Sequence, residues 1–279
     1  ASNKFVALSA YKGSVLARTD DRRVFTVADA TLTEQSNLAA YKPQCAVREG
    51  NTYWLGTNEG VLHIMDDNSV QKYEPDGPLS NMPYDMVTYG SQLWIVPGGR
   101  WATEFKREAQ IMYYNGAQWD NLSYNDICRR IGATLSLADL VHVAVDPADS
   151  KHFYAASYGM GVVEFLPDGT AKRYTYNNSP LRSADTGNAM YRYCRVDAMT
   201  FDADRNLWLT NMSDLATNVH IITPDHQWHS FNLYQGGQRI VLNTVSKFVV
   251  DNRNPNYKWI ASARDAAGVI LINDNGTPY

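Results

Sequence analysis

A short pattern of apolar strand, turn, glycine and second apolar strand recurs along the whole chain. Residues 53–64 (YWLGTNEGVLHI) show it most clearly, and it returns at residues 153–163 and 258–272. Looser copies lie at residues 5–16, 93–114 and 207–222. The equivalent positions, taken as Leu8, Leu55, Ile95, Ala155, Leu209 and Ile260, are on average about 50 residues apart, which is typical of propeller blades.

Further strands flank each copy of the pattern and complete a four-stranded unit. An apolar run precedes the central strand, and an aspartate follows that run in three copies, at Asp146, Asp202 and Asp251. We interpret these aspartates as turn residues that cap the backbone between the first and second strands. The sequence therefore predicts an all-β fold, a β-propeller of four-stranded antiparallel blades.

Six copies predict six or seven blades, and the pattern starts at what we take as a second strand and stops at a turn. We therefore expect one incomplete blade, and a single propeller domain over residues 1–279 that is a fragment of a longer chain. Only residues 124–131 favour a helix, of one or two turns, whereas residues 183–193 read as a polar loop.

Composition excludes several classes of protein. The net charge of -4 argues against nucleic acid as a partner, and no apolar run approaches the roughly 18 residues of a transmembrane segment. Cys45, Cys128 and Cys194 are far apart, which favours three small buried residues over a zinc or redox site. One disulfide plus a free thiol stays open as an alternative for an oxidising compartment.

Several short stretches occur together in a characteristic order: WLGTNEGV (54–61), GPLSN (77–81), VPGGRW (96–101), VDP (145–147), GMGVVEF (159–165), NSPL (178–181), FD (201–202) and NLW (206–208). In this order they resemble the two-component-regulator propellers of Bacteroidetes and, within them, the PorZ-like surface components of the type IX secretion system. The resemblance implies a periplasmic or outer cell-surface location and no catalysis. It also implies a role beside a sortase that attaches cargo to anionic lipopolysaccharide.

The sequence contains no strong catalytic or metal-binding motif, so we expect no enzyme activity, no cofactor and no metal. His226 and His229 are three residues apart in a strand-turn context, which does not aim both rings at one ion. One alternative is a lactonase-like metal-dependent hydrolase, whose candidate ligands are Asn81, Asp85, Asp197, Asn211 and Asp265. A second alternative is the periplasmic ligand-sensing domain of a hybrid two-component system.

The favoured hypothesis is a binding module for a protein partner, an anionic glycan or lipopolysaccharide. Loops after second strands and loops before first strands share one face of a propeller, and here they carry arginines and aromatic residues suited to carboxylates, phosphates and sugars. For Arg100 and Trp101, two roles are open: contacts at the mouth of the ring, or a clamp for the long loop at residues 97–110. The predicted ligand-binding residues are Arg100, Trp101, Tyr84, Tyr158, Arg192, Tyr193 and Arg264.

Overall fold

The computed structural model describes residues 4–74, 76–100, 106–185, 193–212, 218–242, 244–262 and 268–276. The chain divides into two compact units, Ala1–Asp76 and Gly77–Tyr279, and both are built from antiparallel sheets. The fold is all-β, a β-propeller with antiparallel blades as the repeat predicted. The assignment of residues 1–279 to one domain stays a prediction.

The unit Ala1–Asp76 contains two four-stranded sheets, called blades 1 and 2. Blade 1 comprises β1 (Phe5–Tyr11), β2 (Ser14–Thr19), β3 (Val24–Ala28) and β4 (Thr31–Glu34). The short helix α1 (Ser36–Ala39) leads to blade 2, which comprises β5 (Cys45–Glu49), β6 (Thr52–Thr57), β7 (Gly60–Ile64) and β8 (Val70–Tyr73). Leu38 of α1 is fully buried in a core with Leu16, Val24 and Leu55, so the helix seals this unit's core.

The first copy of the repeat is shifted by one strand from its predicted position, so the assignment of Leu8 was wrong. Leu8 lies in β1, the first strand of a complete sheet, and its side chain is 74% exposed, whereas Leu55 in β6 is fully buried. The counterpart of β6 is β2, whose Leu16 and Ala17 are buried. The hairpins β1–β2 and β6–β7 both have an apolar run, a turn with glycine and a second apolar run, so the pattern alone does not separate them.

The described part of the unit Gly77–Tyr279 contains four further blades, called blades 3 to 6, of which blades 4 and 5 are joined in one eight-stranded sheet. Blade 3 comprises β9 (Asp85–Tyr89), β10 (Gln92–Val96) and β11 (Met112–Tyr114), and after it comes α2 (Tyr124–Ile131). Blade 4 comprises β12 (Leu140–Asp146), β13 (Asp149–Gly159), β14 (Gly161–Phe165) and β15 (Ala171–Tyr174). Blade 5 comprises β16 (Cys194–Phe201), β17 (Leu207–Asn211), β18 (Val219–Ile222) and β19 (Trp228–Phe231). The hairpin β20 (Leu233–Gln235) and β21 (Gln238–Ile240) leads to blade 6, which comprises β22 (Val245–Val250), β23 (Tyr257–Ser262) and β24 (Val269–Asn273).

Blades 3 and 6 each have three described strands rather than the predicted four. In blade 3, isolated bridges join Ile111 to Leu122 and Tyr114 to Trp119, where an outer strand would pair. The first strands of blades 3 to 6 lie side by side in chain order and line a cavity of about 860 Å³. Three clusters of buried side chains fill the spaces between neighbouring sheets, and Trp94, Phe165 and Trp208 are among the largest.

The aspartate that recurs after the first strand of a blade has the predicted capping geometry. Asp202 accepts hydrogen bonds from the backbone N–H groups of Asp204 (3.0 Å) and Asn206 (2.8 Å), and Asp251 accepts one from that of Arg253 (2.8 Å). Asp202 also accepts a bond from the indole Nε1 of Trp208, at 2.8 Å. The aspartate therefore fixes both the turn and the tryptophan of the next strand.

Glycine begins the third strand of blade 4 because no side chain fits there. Gly161 has φ 85°, and a Cβ at this position would lie 2.0 Å from the carbonyl oxygen of Tyr174. Gly169, in the following turn, has φ 87° but open space around it. Only the first of these glycines is therefore required by packing as well as by backbone conformation.

The predicted helix at residues 124–131 is confirmed as α2. Ser123 caps it, since its side chain accepts a bond from the Asp126 N–H and its own N–H donates to the Asp126 carboxylate at 2.9 Å. Gly132 ends it in a left-handed conformation.

The cysteine prediction is confirmed at two positions and wrong at one. Cys128 and Cys194 are buried as predicted, whereas Cys45 is exposed, and all three are free thiols.

Candidate functional site

Arginine and tyrosine side chains alternate in one row within the unit Gly77–Tyr279. The guanidinium of Arg100 lies 5.9 Å from the ring centroid of Tyr84 and 5.8 Å from that of Tyr158. The guanidinium of Arg195 lies 4.9 Å from the ring centroid of Tyr158 and 5.8 Å from that of Tyr193. All four distances are within the range of about 6 Å in which a cation is attracted to an aromatic face. We call these five residues the Arg–Tyr ladder.

Local backbone geometry places the tyrosines of the ladder. The N–H of Tyr84, just before β9, donates to the carbonyl of Val96 at the end of β10, at 2.9 Å. The Tyr84 ring then lies directly over Gly98, where a Cβ would come 2.0 Å from the Tyr84 Cγ. Tyr158, near the end of β13, is paired with Arg195 in β16, which joins blades 4 and 5.

Arg100 holds three blades together. It is 5% exposed, and its terminal nitrogens donate to the carbonyl oxygens of Val245 (2.6 Å) and Asp197 (2.8 Å). The loop after β10 is thereby fixed to the first strands of blades 5 and 6. These contacts are those of a clamp, the second of the two roles predicted for this residue. A role of Arg100 in ligand binding stays a prediction.

Asp197 is a buried carboxyl group beside both arginines of the ladder. Its Oδ2 accepts a bond from the N–H of Val245 at 2.9 Å, and its Oδ1 has no partner among the described residues. Burial raises the pKa of Asp197 to about 6, although the positive charge of Arg100 acts in the opposite direction. The Nε atoms of Arg100 and Arg195 are likewise buried and without partners in the described chain.

Arg195 is the residue that the sequence analysis missed. The only hydrogen bond that its guanidinium forms among the described residues is to the Sδ of Met212, at 3.4 Å, and a thioether is a weak acceptor. It forms no ion pair within the described ranges, so this partly buried cation has two aromatic neighbours, and the nearby Asp197 acts on it through its charge without a direct hydrogen bond. The available signal was an arginine between the buried Cys194 and Val196 in the first strand of blade 5.

The structure brings together four of the seven predicted ligand-binding residues: Tyr84, Arg100, Tyr158 and Tyr193. Trp101, Arg192 and Arg264 lie outside the described residues. Tyr193 is 38% exposed and Tyr158 is buried, so the ladder is more accessible at its Tyr193 end.

A second cluster of polar side chains connects the first strands of blades 3 to 6. Asp85 at the start of β9 is hydrogen-bonded to the imidazole of His142 in β12 and forms an ion pair with Lys247 of β22, and His142 Nε2 lies 2.9 Å from the carbonyl oxygen of Met199. Although burial acts to raise it, the pKa of Asp85 is held below its usual value by His142 and Lys247.

These contacts bear on the lactonase-like alternative. Both carboxylate oxygens of Asp85 are occupied, and the Asn211 side chain bonds to the backbone of Arg182 and Arg195. Asp265 lies outside the described residues. Within the described chain, no three His, Cys, Asp or Glu side chains are grouped to hold a metal ion.

The sheets and their order define the class of this chain as a β-propeller, and comparison with known proteins gives the same fold. The chain is similar to PorZ, described as an essential surface component of the type IX secretion system of Porphyromonas gingivalis, with 21% identity and a TM-score of 0.65. The match covers 98% of this chain and 42% of PorZ, so the chain spans less than half of that protein's length.

A second similar structure is the extracellular domain of a putative hybrid two-component system from B. thetaiotaomicron, with 11% identity and a TM-score of 0.43, covering 96% of this chain and 32% of that one. PorZ is of the kind of protein that the sequence resembles. No protein-family model and no curated protein sequence matches the chain. Among the described helices, none has the length and apolar character needed to cross a membrane.

Proposed function

We propose that this propeller is a non-catalytic recognition module of the bacterial envelope, which binds an anionic group of a glycan or partner protein at Arg195. The observation that carries the proposal is the guanidinium of Arg195, which is flanked by the rings of Tyr158 and Tyr193 and hydrogen-bonded only to a sulfur atom in the described chain. A carboxylate, phosphate or sulfate would supply the strong acceptors that this group lacks.

The neighbouring groups of the ladder favour an anion over a neutral ligand. Arg100 and Arg195 together bring two positive charges against the single carboxyl group of Asp197, so the charges of these three residues sum to a positive value near neutral pH. Tyr193 is accessible and offers a flat apolar face with a hydroxyl group, a combination that suits a sugar ring. The ladder therefore combines charge and stacking surface at one end.

The location in the envelope is proposed from similarity. PorZ is described as a bacterial surface component of a secretion system, and the second similar structure is an extracellular domain. We infer the same location for this chain, which would then be either a periplasmic or an outer cell-surface protein. A partner in a secretion system belongs to the same proposal.

The test is binding of purified anionic lipopolysaccharide by isothermal titration calorimetry to the wild type, Arg195→Ala and Arg195→Lys. We expect Arg195→Ala to weaken binding by about 1–3 kcal/mol and Arg195→Lys to recover part of it, because lysine keeps the charge but not the fork geometry. The matched control is Arg129→Ala, which removes one exposed positive charge from α2. Equal affinity of the wild type and Arg195→Ala, with both proteins folded, would remove the ladder from the binding site.

A further inference from the structure

A second cleft in the unit Gly77–Tyr279 has an apolar wall and a polar wall. It measures about 630 Å³ and lies between the end of α2 and the outer strand of blade 4. Ile131, Ala133 and Leu135 form the apolar wall, and the opposite wall includes Arg173, Tyr176 and Asn177. We call it the Arg173 cleft. None of these residues belongs to the Arg–Tyr ladder.

Arg173 is a cation with incomplete hydrogen bonding. Its Nε donates to the carbonyl of Met160 at 2.9 Å, which fixes the guanidinium plane. Its terminal nitrogens have only long contacts, 3.5 Å to the carbonyl of Ser136 and 4.0 Å to the Sδ of Met160. No carboxylate forms an ion pair with it within the described ranges, and burial lowers the pKa of this guanidinium.

The fixed guanidinium has its two terminal nitrogens available in the geometry that binds a carboxylate through two parallel hydrogen bonds. Such a bond in a partly desolvated cleft is stronger than one in water, because the surrounding dielectric is lower. The missing partner of Arg173 is therefore best described as a carboxylate rather than a neutral group.

The apolar wall defines the rest of the ligand. Ile131, Ala133 and Leu135 present aliphatic side chains, and Ala171 and the buried Cys194 also line the cleft. A surface of this kind favours a branched aliphatic group, since removing apolar surface from water is favourable. A polyhydroxylated group would lose water hydrogen bonds against this wall.

We propose that the Arg173 cleft binds a carboxylate attached to a short aliphatic group. A peptide whose last residue is aliphatic and carries a free C-terminal carboxylate has this chemistry, and so does a short branched fatty acid. The site goes beyond the proposed function, because it is separate from the ladder and takes a different class of ligand.

The test uses defined small molecules and nuclear magnetic resonance titration of the whole chain. The probes are N-acetyl-Gly-Gly-Leu with a free carboxylate, its C-terminal amide, 4-methylpentanoate and glucuronate. We expect the free acid to bind roughly tenfold more tightly than the amide. A peptide that binds better than 4-methylpentanoate identifies a peptide as the source of the carboxylate, and equal binding identifies the free fatty acid; both outcomes support the proposal.

Two variants and one control locate the binding. Arg173→Ala should abolish the preference for the acid over the amide, and Ala133→Trp should block all the aliphatic probes by filling the cleft. Arg129→Ala, which removes an exposed charge outside the cleft, should bind like the wild type.

The proposal is overturned if no aliphatic carboxylate binds, if acid and amide bind equally, or if glucuronate binds as tightly as the aliphatic acids. The comparison of acid with amide needs no variant, so it decides the matter even where Arg173→Ala does not fold. Arg195 does not line this cleft. A negative result for anion binding at Arg195 and a negative result for carboxylate binding in the Arg173 cleft are therefore distinguishable.

Discussion

Replacing Asp202 with alanine removes the acceptor of four hydrogen bonds at the turn between β16 and β17. The donors are the backbone N–H groups of Asp204 (3.0 Å) and Asn206 (2.8 Å), the Nδ2 of Asn206 (2.9 Å) and the Nε1 of Trp208 (2.8 Å). Asp202 is 6% exposed and Trp208 is fully buried, so water cannot replace the carboxylate at the indole.

The expected loss follows from which donors stay buried. The two side-chain donors belong to buried residues, and an unsatisfied buried donor costs about 1–3 kcal/mol. The backbone donor of Asp204 lies in an exposed turn and can be hydrated. Because bonds to one carboxylate are not additive, we expect a total loss of about 3–5 kcal/mol in the free energy of unfolding, out of the roughly 5–15 kcal/mol of a typical domain.

The assay is urea denaturation followed by tryptophan fluorescence, with Asp251→Ala as the matched variant. Asp251 occupies the same position in blade 6 and bonds to the Nε1 of Trp259 at 3.1 Å, but that tryptophan is only partly buried. Asp251→Ala should therefore shift the urea midpoint much less than Asp202→Ala does. If Asp202→Ala and Asp251→Ala shift it equally, or if Asp202→Ala costs less than about 1 kcal/mol, the reasoning from burial is refuted.

Three further results are expected. Gly161→Ala should destabilise the protein by about 3 kcal/mol or more and Gly169→Ala by about 1 kcal/mol in thermal unfolding, because both need a positive φ but only the first meets a neighbouring carbonyl; equal losses would contradict this. Burial acts to raise the pKa of Glu164, but hydrogen bonds from histidine and tyrosine side chains hold it at about 2. The stabilisation by this carboxylate is therefore present above about pH 4.5 and is lost as the pH falls toward 2. Glu164→Gln should flatten that part of the curve of stability against pH, and an unchanged curve would contradict the assignment. A thiol reagent should modify Cys45 rapidly and Cys194 only after unfolding, because burial raises the pKa of Cys194 to about 12; rapid modification of both in the native protein, seen by mass spectrometry, would be inconsistent with the structure.

The blades were predictable because their signals are local in sequence. Alternating apolar residues, a glycine at a strand start and an aspartate at a turn all act within a few residues, and Asp202 and Gly161 have the roles that such signals indicate. The same locality explains the error at Leu8, since one hairpin of a blade has the same local pattern as the next.

The candidate site was less predictable because its contacts are distant in sequence. Arg100 reaches carbonyl groups 97 and 145 residues away, and no pattern around it specifies those partners. Arg195 acquires its place between two tyrosines from the pairing of β13 with β16. Aromatic residues and arginine at the loops were enough to predict a binding face, but not which arginine lacks a strong acceptor.

The clamp formed by Arg100 also has a consequence for how the blades could have arisen and how they come apart. Repeats that contact only their neighbours can be duplicated or deleted one at a time, and they can unfold one at a time. Here Arg100, which follows β10, is hydrogen-bonded to the first strands of blades 5 and 6. Deletion of blade 6 would therefore leave the buried guanidinium of Arg100 without one of its acceptors. Blades 3 to 6 are therefore not interchangeable units, and they are expected to unfold in one cooperative transition.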